Sequence, residues 1–268
     1  MAYANALKSS KADKRLPTQN VIGFPVSTLS FSEQTDVILQ WARAHLSKVV
    51  CVSNVHMLME GHWRSSFAQV LLSADLLTPD GMPLVWMTSL MKRYAQERVA
   101  GMELMQALCQ QAQAAGVSLF LLGSTPEVLS KVRQKLSDDF PDLKVSGMLS
   151  PPFRLLSAEE NEAIADQINK SMAGLVFVSL GCPKQELWMH THRNRVGAVM
   201  VGLGGAFSVY AGVKQWAPEW VRNLGLEWLY RLMQEPRRLW KRYAVTIPPF
   251  LWLAFKQIVK VRLGLDPN

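Results

Sequence analysis

From residue 49 to residue 203 the chain alternates short apolar runs with longer amphipathic stretches, and few folds accept that pattern. The runs are VVCVS (49–53), residues 76–78, SLFLL (118–122), residues 144–147, LVFVSL (175–180) and AVMVGL (198–203). Between and before them lie stretches at helical spacing: 32–46, 101–115, 126–140, 158–173 and 183–193. Runs of Val, Leu and Phe with no polar face suit strands covered on both sides, and helices of ten or more residues supply the crossovers that parallel strands need. The reading is therefore α/β: a Rossmann-like, doubly wound, mostly parallel sheet with helices on both faces over residues 20–213. Ser157 and Glu160 form a capping box for the helix that begins near residue 158. A polar, basic segment (1–19), read as a mobile lead-in, precedes this domain, and a helical appendage (214–268) follows it.

Charge separates these parts. Of the net charge of +8, residues 1–15 carry +3, residues 16–213 carry −1 and residues 214–268 carry +6. The last stretch also holds five of the nine Trp: Trp216, Trp220, Trp228, Trp240 and Trp252. Basic residues mixed with Trp and Tyr suit an anionic membrane surface or a nucleic acid. Placed on one helical wheel, residues 226–243 put Arg231, Arg238 and Arg242 opposite an apolar stripe of Leu229, Leu232, Met233, Leu239, Trp240 and Tyr243, with Pro236 either kinking the helix or starting a second one. Equally, the apolar face could pack on the domain and leave the arginines to solvent. No apolar run reaches the ~18–20 residues of a spanning helix, and the nearest (244–255) is interrupted by Pro248 and Pro249. The N-terminus has no apolar signal region, and Cys51, Cys109 and Cys182 have no CxxC spacing, so the expectation is a reduced, cytoplasmic protein held at the inner face of the membrane.

In a sheet of this kind ligands bind at the carboxyl ends of the strands. The segments there are Asn54-Val55-His56, Pro79-Asp80-Gly81, Gly123-Ser124-Thr125, Gly181 to Glu186 and Gly204-Gly205-Ala206. Glycine lets a backbone approach a ligand, and a following helix N-terminus favours an anion such as pyrophosphate. Asp80, flanked by Pro and Gly, reads either as a turn-forming residue or as a partly desolvated general base. Arg98 reads as a surface ion pair with Glu97 or another acid, or as a planar fork for a phosphate or sugar. Residues 202–205 do not make GxGxxG, since Ser208 stands at the third glycine, which argues against an NAD(P) site. No DxD motif appears, and His190 and His192 point to different helix faces, so no metal and no cofactor is expected.

Five motifs in order carry a resemblance: Pro79-Asp80-Gly81; Glu97 to Gly101; Gly181-Cys182-Pro183-Lys184-Gln185-Glu186-Leu187-Trp188; Val201 to Phe207; and Gly225 to Arg231. Over residues 20–245 the chain resembles the WecG/TagA/CpsF glycosyltransferases. The resemblance implies an inverting, metal-independent transfer of a sugar from a UDP-sugar donor to a polyprenyl-diphosphate-linked sugar acceptor, in cell-surface polysaccharide synthesis. It implies Asp80 as catalytic base, Asn54 and Arg98 lining the acceptor and sugar pocket, and Gln185, with Lys184 and Glu186 nearby, at the UDP-sugar; Gly123, Ser124, Gly204 and Gly205 join the substrate-binding set by their place at strand carboxyl ends. Arg231, Arg237, Arg238 and Arg242 would grip the lipid diphosphate. Where many members carry Thr two residues before the Asn, this chain has Val52. The stretch 52–57 looks like the exopolysaccharide, xanthan-type branch, which favours UDP-glucose over UDP-ManNAc or UDP-ManNAcA. A non-catalytic nucleotide-sugar-binding or membrane-recruiting protein is the alternative, ahead of an oxidoreductase; nucleic-acid binding is not expected. A homo-oligomer is compatible with the sequence, which does not fix the oligomeric state.

Overall fold

The computed structural model describes residues 16–92 and 95–265. Most of the expected N-terminal lead-in, residues 1–15, lies outside the described residues.

A small antiparallel hairpin comes first, β1 (Thr18–Val21) and β2 (Phe24–Ser27), turned by Ile22 and Gly23 at positive φ. Four-residue strands are too short to display a period, and the sequence reading assigns none before residue 49. Next is α1 (Phe31–Arg43), opened by a reciprocal capping box between Ser30 and Glu33. Strands and helices then alternate: β3 (Lys48–Ser53), α2 (Val55–Trp63), α3 (Ser65–Ser73), β4 (Leu76–Pro79), α4 (Met82–Lys92), α5 (Gly101–Ala115), β5 (Leu119–Gly123), α6 (Pro126–Asp139), β6 (Val145–Leu149), α7 (Ala158–Lys170), β7 (Leu175–Ser179), α8 (Lys184–Thr191), β8 (Val199–Gly202) and α9 (Ala206–Tyr210). The Ser157–Glu160 capping box is present ahead of α7. The sequence reading omits α2 to α4. Segments such as VHMLMEGHW and MPLVWMTSLMK carry apolar residues on most sides, so no helical period stands out.

β3 to β8 form one parallel sheet in the order β4-β3-β8-β7-β5-β6. Alternate residues of each strand serve opposite cores. Val49 and Cys51 of β3, with Phe120 and Leu122 of β5, meet side chains of α2, α3, α4, α7 and α8. Val50 and Val52, with Leu119 and Leu121, meet α1, α5, α6 and α9. This is the doubly wound arrangement that the strand composition predicts. β3 and β8 are neighbours, yet α2 leaves β3 for the first face and α9 leaves β8 for the second. Their loops diverge at the carboxyl edge, and a crevice opens between them.

The remaining chain forms α10 (Glu219–Asn223), α11 (Glu227–Gln234) and α12 (Pro236–Arg262). Pro236 starts a second helix, at the first position, where a missing N–H costs nothing. One expectation is corrected here: Pro248 and Pro249 do not interrupt the apolar segment. The carbonyls of Ala244 and Val245, which lose their partners, belong to exposed residues within reach of water, so α12 runs through both prolines. By length and composition α12 is therefore long and apolar enough to cross a membrane. Along its length, however, it is fastened to the domain. Leu239, Thr246, Phe250 and Ala254 are buried, with Phe250 and Ala254 in the first-face core. Near its end the Gln257 side chain accepts from the Ile22 N–H (2.8 Å) and donates to the Asn20 carbonyl (2.8 Å).

Phe250 is 1% exposed. Phe250→Ala is expected to lower the free energy of unfolding by about 3 kcal/mol in urea titrations; an unchanged midpoint would mean that the tail does not dock.

Candidate active site

The crevice at the ends of β3, β4 and β8 has two lobes, of about 200 and 300 Å³, which meet at Asn54, His56, Asp80, Glu227, Arg231 and Arg242. One lobe is polar, bounded by Gly181, Gln185, Gly204, Gly205, Lys214 and Arg238. The other is apolar, walled by Met82, Pro83 and Trp86 from α4, Trp228 from α11, and Tyr243, Ile247, Phe250 and Leu251 from α12.

Local structure explains how each group reaches the junction. Asn54 ends β3 and caps α2: its Oδ1 accepts from the Met57 N–H (3.1 Å), leaving its amide N–H groups for the crevice. Asp80 ends β4, its N–H donating to the Ser53 carbonyl (3.0 Å). The Ser53 hydroxyl is spent on the Thr78 carbonyl (2.6 Å), so it does not stand in for the Thr that Val52 replaces. Removal from water raises the Asp80 carboxyl from its usual 3.8 to about 7. The negative charge of Glu227 adds to the rise, while Arg98 and Arg231 oppose it. His56, between the lobes, is lowered to about 4 by burial and by the positive charges of Arg242 and Arg64, so it is neutral at physiological pH.

Arg98 is an ion-pair residue, as one of its two sequence readings has it, but with acids other than Glu97, whose carboxylate accepts from the Phe31 N–H. Its guanidinium binds Glu103 (2.9 Å) and Glu227 (2.8 Å). Glu103 also takes Arg222, which stacks on Trp216. Arg98 thus ties the start of α5 to the start of α11 and brings the tail over Asp80. The sequence reading quotes Glu227 within a motif but gives it no role, and it passes over Glu103. The signal for both was the surplus of arginines around a site with so few acids.

Of the glycine-loop residues, Gln185, Gly204 and Gly205 face the polar lobe. Gln185 Nε2 donates to Glu186 (2.7 Å) and its Oε1 accepts from the Gly181 N–H (3.2 Å). Glu186 itself is buried behind Gln185, and burial raises its carboxyl to about 7. Ser124 and Lys184 line a separate cleft between α7 and α8. Gly123 is buried at φ +102°, and a Cβ there would meet the Ser179 carbonyl oxygen at 2.7 Å, so close strand packing already requires glycine.

Arg231 and Arg242 turn inward to line the polar lobe and Arg238, half exposed, stands at its rim, while of the tail's apolar residues Leu239 is buried and Met233 (67% exposed), Trp240 (59%) and Trp252 (57%) face out. Arg238 pairs with Glu235; among the described residues no ion pair joins Arg231 or Arg242 to a carboxylate. Arg237 is exposed, outside the crevice. Burial and the neighbouring positive charges of Arg238 and Arg231 lower the Arg242 guanidinium. Among the described residues no group of three or more His, Cys, Asp or Glu is placed to hold a metal ion.

Residues 19–263 match the model of the glycosyl transferase WecG/TagA/CpsF family. The chain belongs to that family. Similar proteins include two named N-acetylglucosaminyldiphosphoundecaprenol N-acetyl-beta-D-mannosaminyltransferase. One, from Bacillus spizizenii, is 30% identical over 239 residues, 87% of this chain and 90% of the relative. The other, from Bacillus subtilis, is 34% identical over 192 residues, 71% and 72% respectively. This WecG/TagA/CpsF member is accordingly a glycosyltransferase, and all five motifs of the resemblance lie within the matched span.

A carboxyl that the fold holds above its ordinary value favours the unfolded chain once it must ionise. For Asp80 that cost grows as pH rises from about 4 to about 7 and is constant above. Asp80→Asn is therefore expected to raise the melting temperature more at pH 8 than at pH 5 in calorimetry, and an equal effect at both would contradict the raised value.

Proposed function

We propose that this protein transfers a hexose from a UDP-sugar to a sugar linked to a polyprenyl diphosphate, with inversion, at the cytoplasmic membrane face in the synthesis of a cell-surface polysaccharide. The observation that carries this reading is a carboxyl poised near neutral pH at the junction of an arginine- and glycine-lined lobe with an apolar one. Asp80 takes the proton of the acceptor hydroxyl as that oxygen attacks the anomeric carbon; the bond from that carbon to the UDP oxygen breaks, and UDP leaves. Backbone N–H groups of the glycine loops, with Arg231, Arg238 and Arg242, balance the charge of the two diphosphates that meet here. Arg98, already held by two carboxylates, positions α11 and tempers the charge beside Asp80. Peripheral binding to an anionic leaflet fits the outward apolar side chains of α11 and α12 and the docking of α12 on the domain.

The relatives' names favour N-acetylmannosamine as the transferred sugar, whereas the stretch 52–57 favours glucose. Release of UDP from UDP-ManNAc, UDP-ManNAcA and UDP-glucose, each tested with polyprenyl-diphosphate sugars, distinguishes the donors; no release from any of them would leave a nucleotide-sugar-binding protein. Asp80→Asn is expected to lower turnover by about 10³-fold or more while UDP still binds. Turnover near the wild-type rate would remove Asp80 from the role of base.

Only the ionised carboxylate accepts the proton, so kcat/KM is expected to rise with pH to a plateau above about 7. Glu227→Gln removes a charge that raises Asp80 and releases Arg98, which lowers it. Both effects move the rising limb to lower pH, and a limb displaced upward in pH–rate profiles would refute this electrostatic account.

A further inference from the structure

The polar lobe has groups for diphosphates and for a sugar, whereas the apolar lobe, the larger of the two, carries Asn54, Asp80, Arg98, Arg231 and Arg242 only at its inner end and is largely apolar beyond them. Its walls are Met82, Pro83 and Trp86 on one side and Ile247, Phe250 and Leu251 on the other. It begins beside Asp80 and Arg242 and runs outward between α4 and α12. Two wall residues are themselves half exposed at its mouth, Trp86 and Leu251. Leu90 of α4 and Trp252 and Phe255 of α12 continue the apolar surface beyond them, with the Trp252 and Phe255 rings stacked. Soluble proteins rarely leave such a strip to water. Here it is continuous with a cavity whose inner end carries Arg231 and Arg242, which no carboxylate pairs among the described residues. The occupant that fits is an anionic head joined to a long hydrocarbon, with the head at the arginines and the chain leaving along the strip.

We propose that the groove between α4 and α12 holds the first isoprene units of the acceptor's polyprenyl chain, so that α4, and not the C-terminal tail alone, meets the hydrophobic substrate. This rests on the glycosyl-transfer reading and extends it to the lipid. The diphosphate sits at Arg231 and Arg242, its sugar reaches Asp80, and the chain passes Trp86 and Leu251 towards the bilayer. Burying isoprene units in the groove lowers the KM for the acceptor and leaves the chemical step alone, since the chain does not touch the reacting atoms. The groove therefore makes the enzyme prefer long-chain over short-chain acceptors even where no bilayer is present.

The test uses the full-length protein in detergent micelles with two acceptors that carry the same sugar diphosphate, one on a long polyprenyl chain and one on a two-carbon alkyl group. Wild-type kcat/KM is expected to favour the long-chain acceptor by about tenfold or more. In Trp86→Gln and Leu251→Gln, at half-exposed positions that tolerate a polar side chain, that ratio is expected to fall several-fold, through KM rather than kcat. A ratio unchanged in both variants, or a wild-type enzyme indifferent to chain length, would overturn the groove assignment while leaving the transfer reading intact. A wild-type enzyme that turns over neither acceptor would overturn the transfer reading itself, and the groove with it.

Discussion

A parallel sheet must be covered on both faces, because crossover connections place helices there and its strands carry no polar side to expose. In this protein that requirement creates the site. β3 and β8 lie side by side in the sheet, but the helices that follow them cover opposite faces, so the loops after Ser53 and Gly202 part instead of packing together. The candidate groups of the site gather at that parting: the Asn54 cap, the Asp80 turn, and the glycine loops after β7 and β8.

The tail supplies one wall of the crevice, and one ion-pair network ties the tail in place. Arg98 and Arg222 reach Glu103 at the start of α5, and Arg98 also reaches Glu227 at the start of α11. That linkage places Glu227 beside Asp80, where its charge helps to raise the carboxyl, and sets Arg231 across the polar lobe. The same contacts that hold the tail thus tune the candidate base. Once the tail is docked, Arg231 and Arg242 line the crevice and part of the tail's apolar surface is left outside.

Much of the sheet was legible because buried strands such as LFLL and LVFVS announce themselves by composition, and the site segments followed from the rule that ligands bind at strand carboxyl ends. Helices α2 to α4 were not legible, since apolar residues on most sides hide the helical period. Asp80, Asn54 and Gln185 were found as residues beside one crevice. Ser124 and Lys184, equally plausible by position, face a different cleft, because β5 lies beyond β7 and β8 in the sheet order and α8 separates the two openings.

What the sequence determined by itself is local: which segments form the parallel sheet, that Ser157 caps a helix, that the tail's helix kinks or restarts at Pro236, and that basic charge collects in the last 55 residues. The sidedness of the tail came only from the tertiary structure. A helical wheel shows that arginines and apolar residues occupy opposite faces, but not which face turns inward. That choice depends on Glu227, Glu103 and the apolar walls of α2 and α4, groups brought together from distant parts of the chain, whose joint electrostatic and packing energies exist only once the sheet has formed.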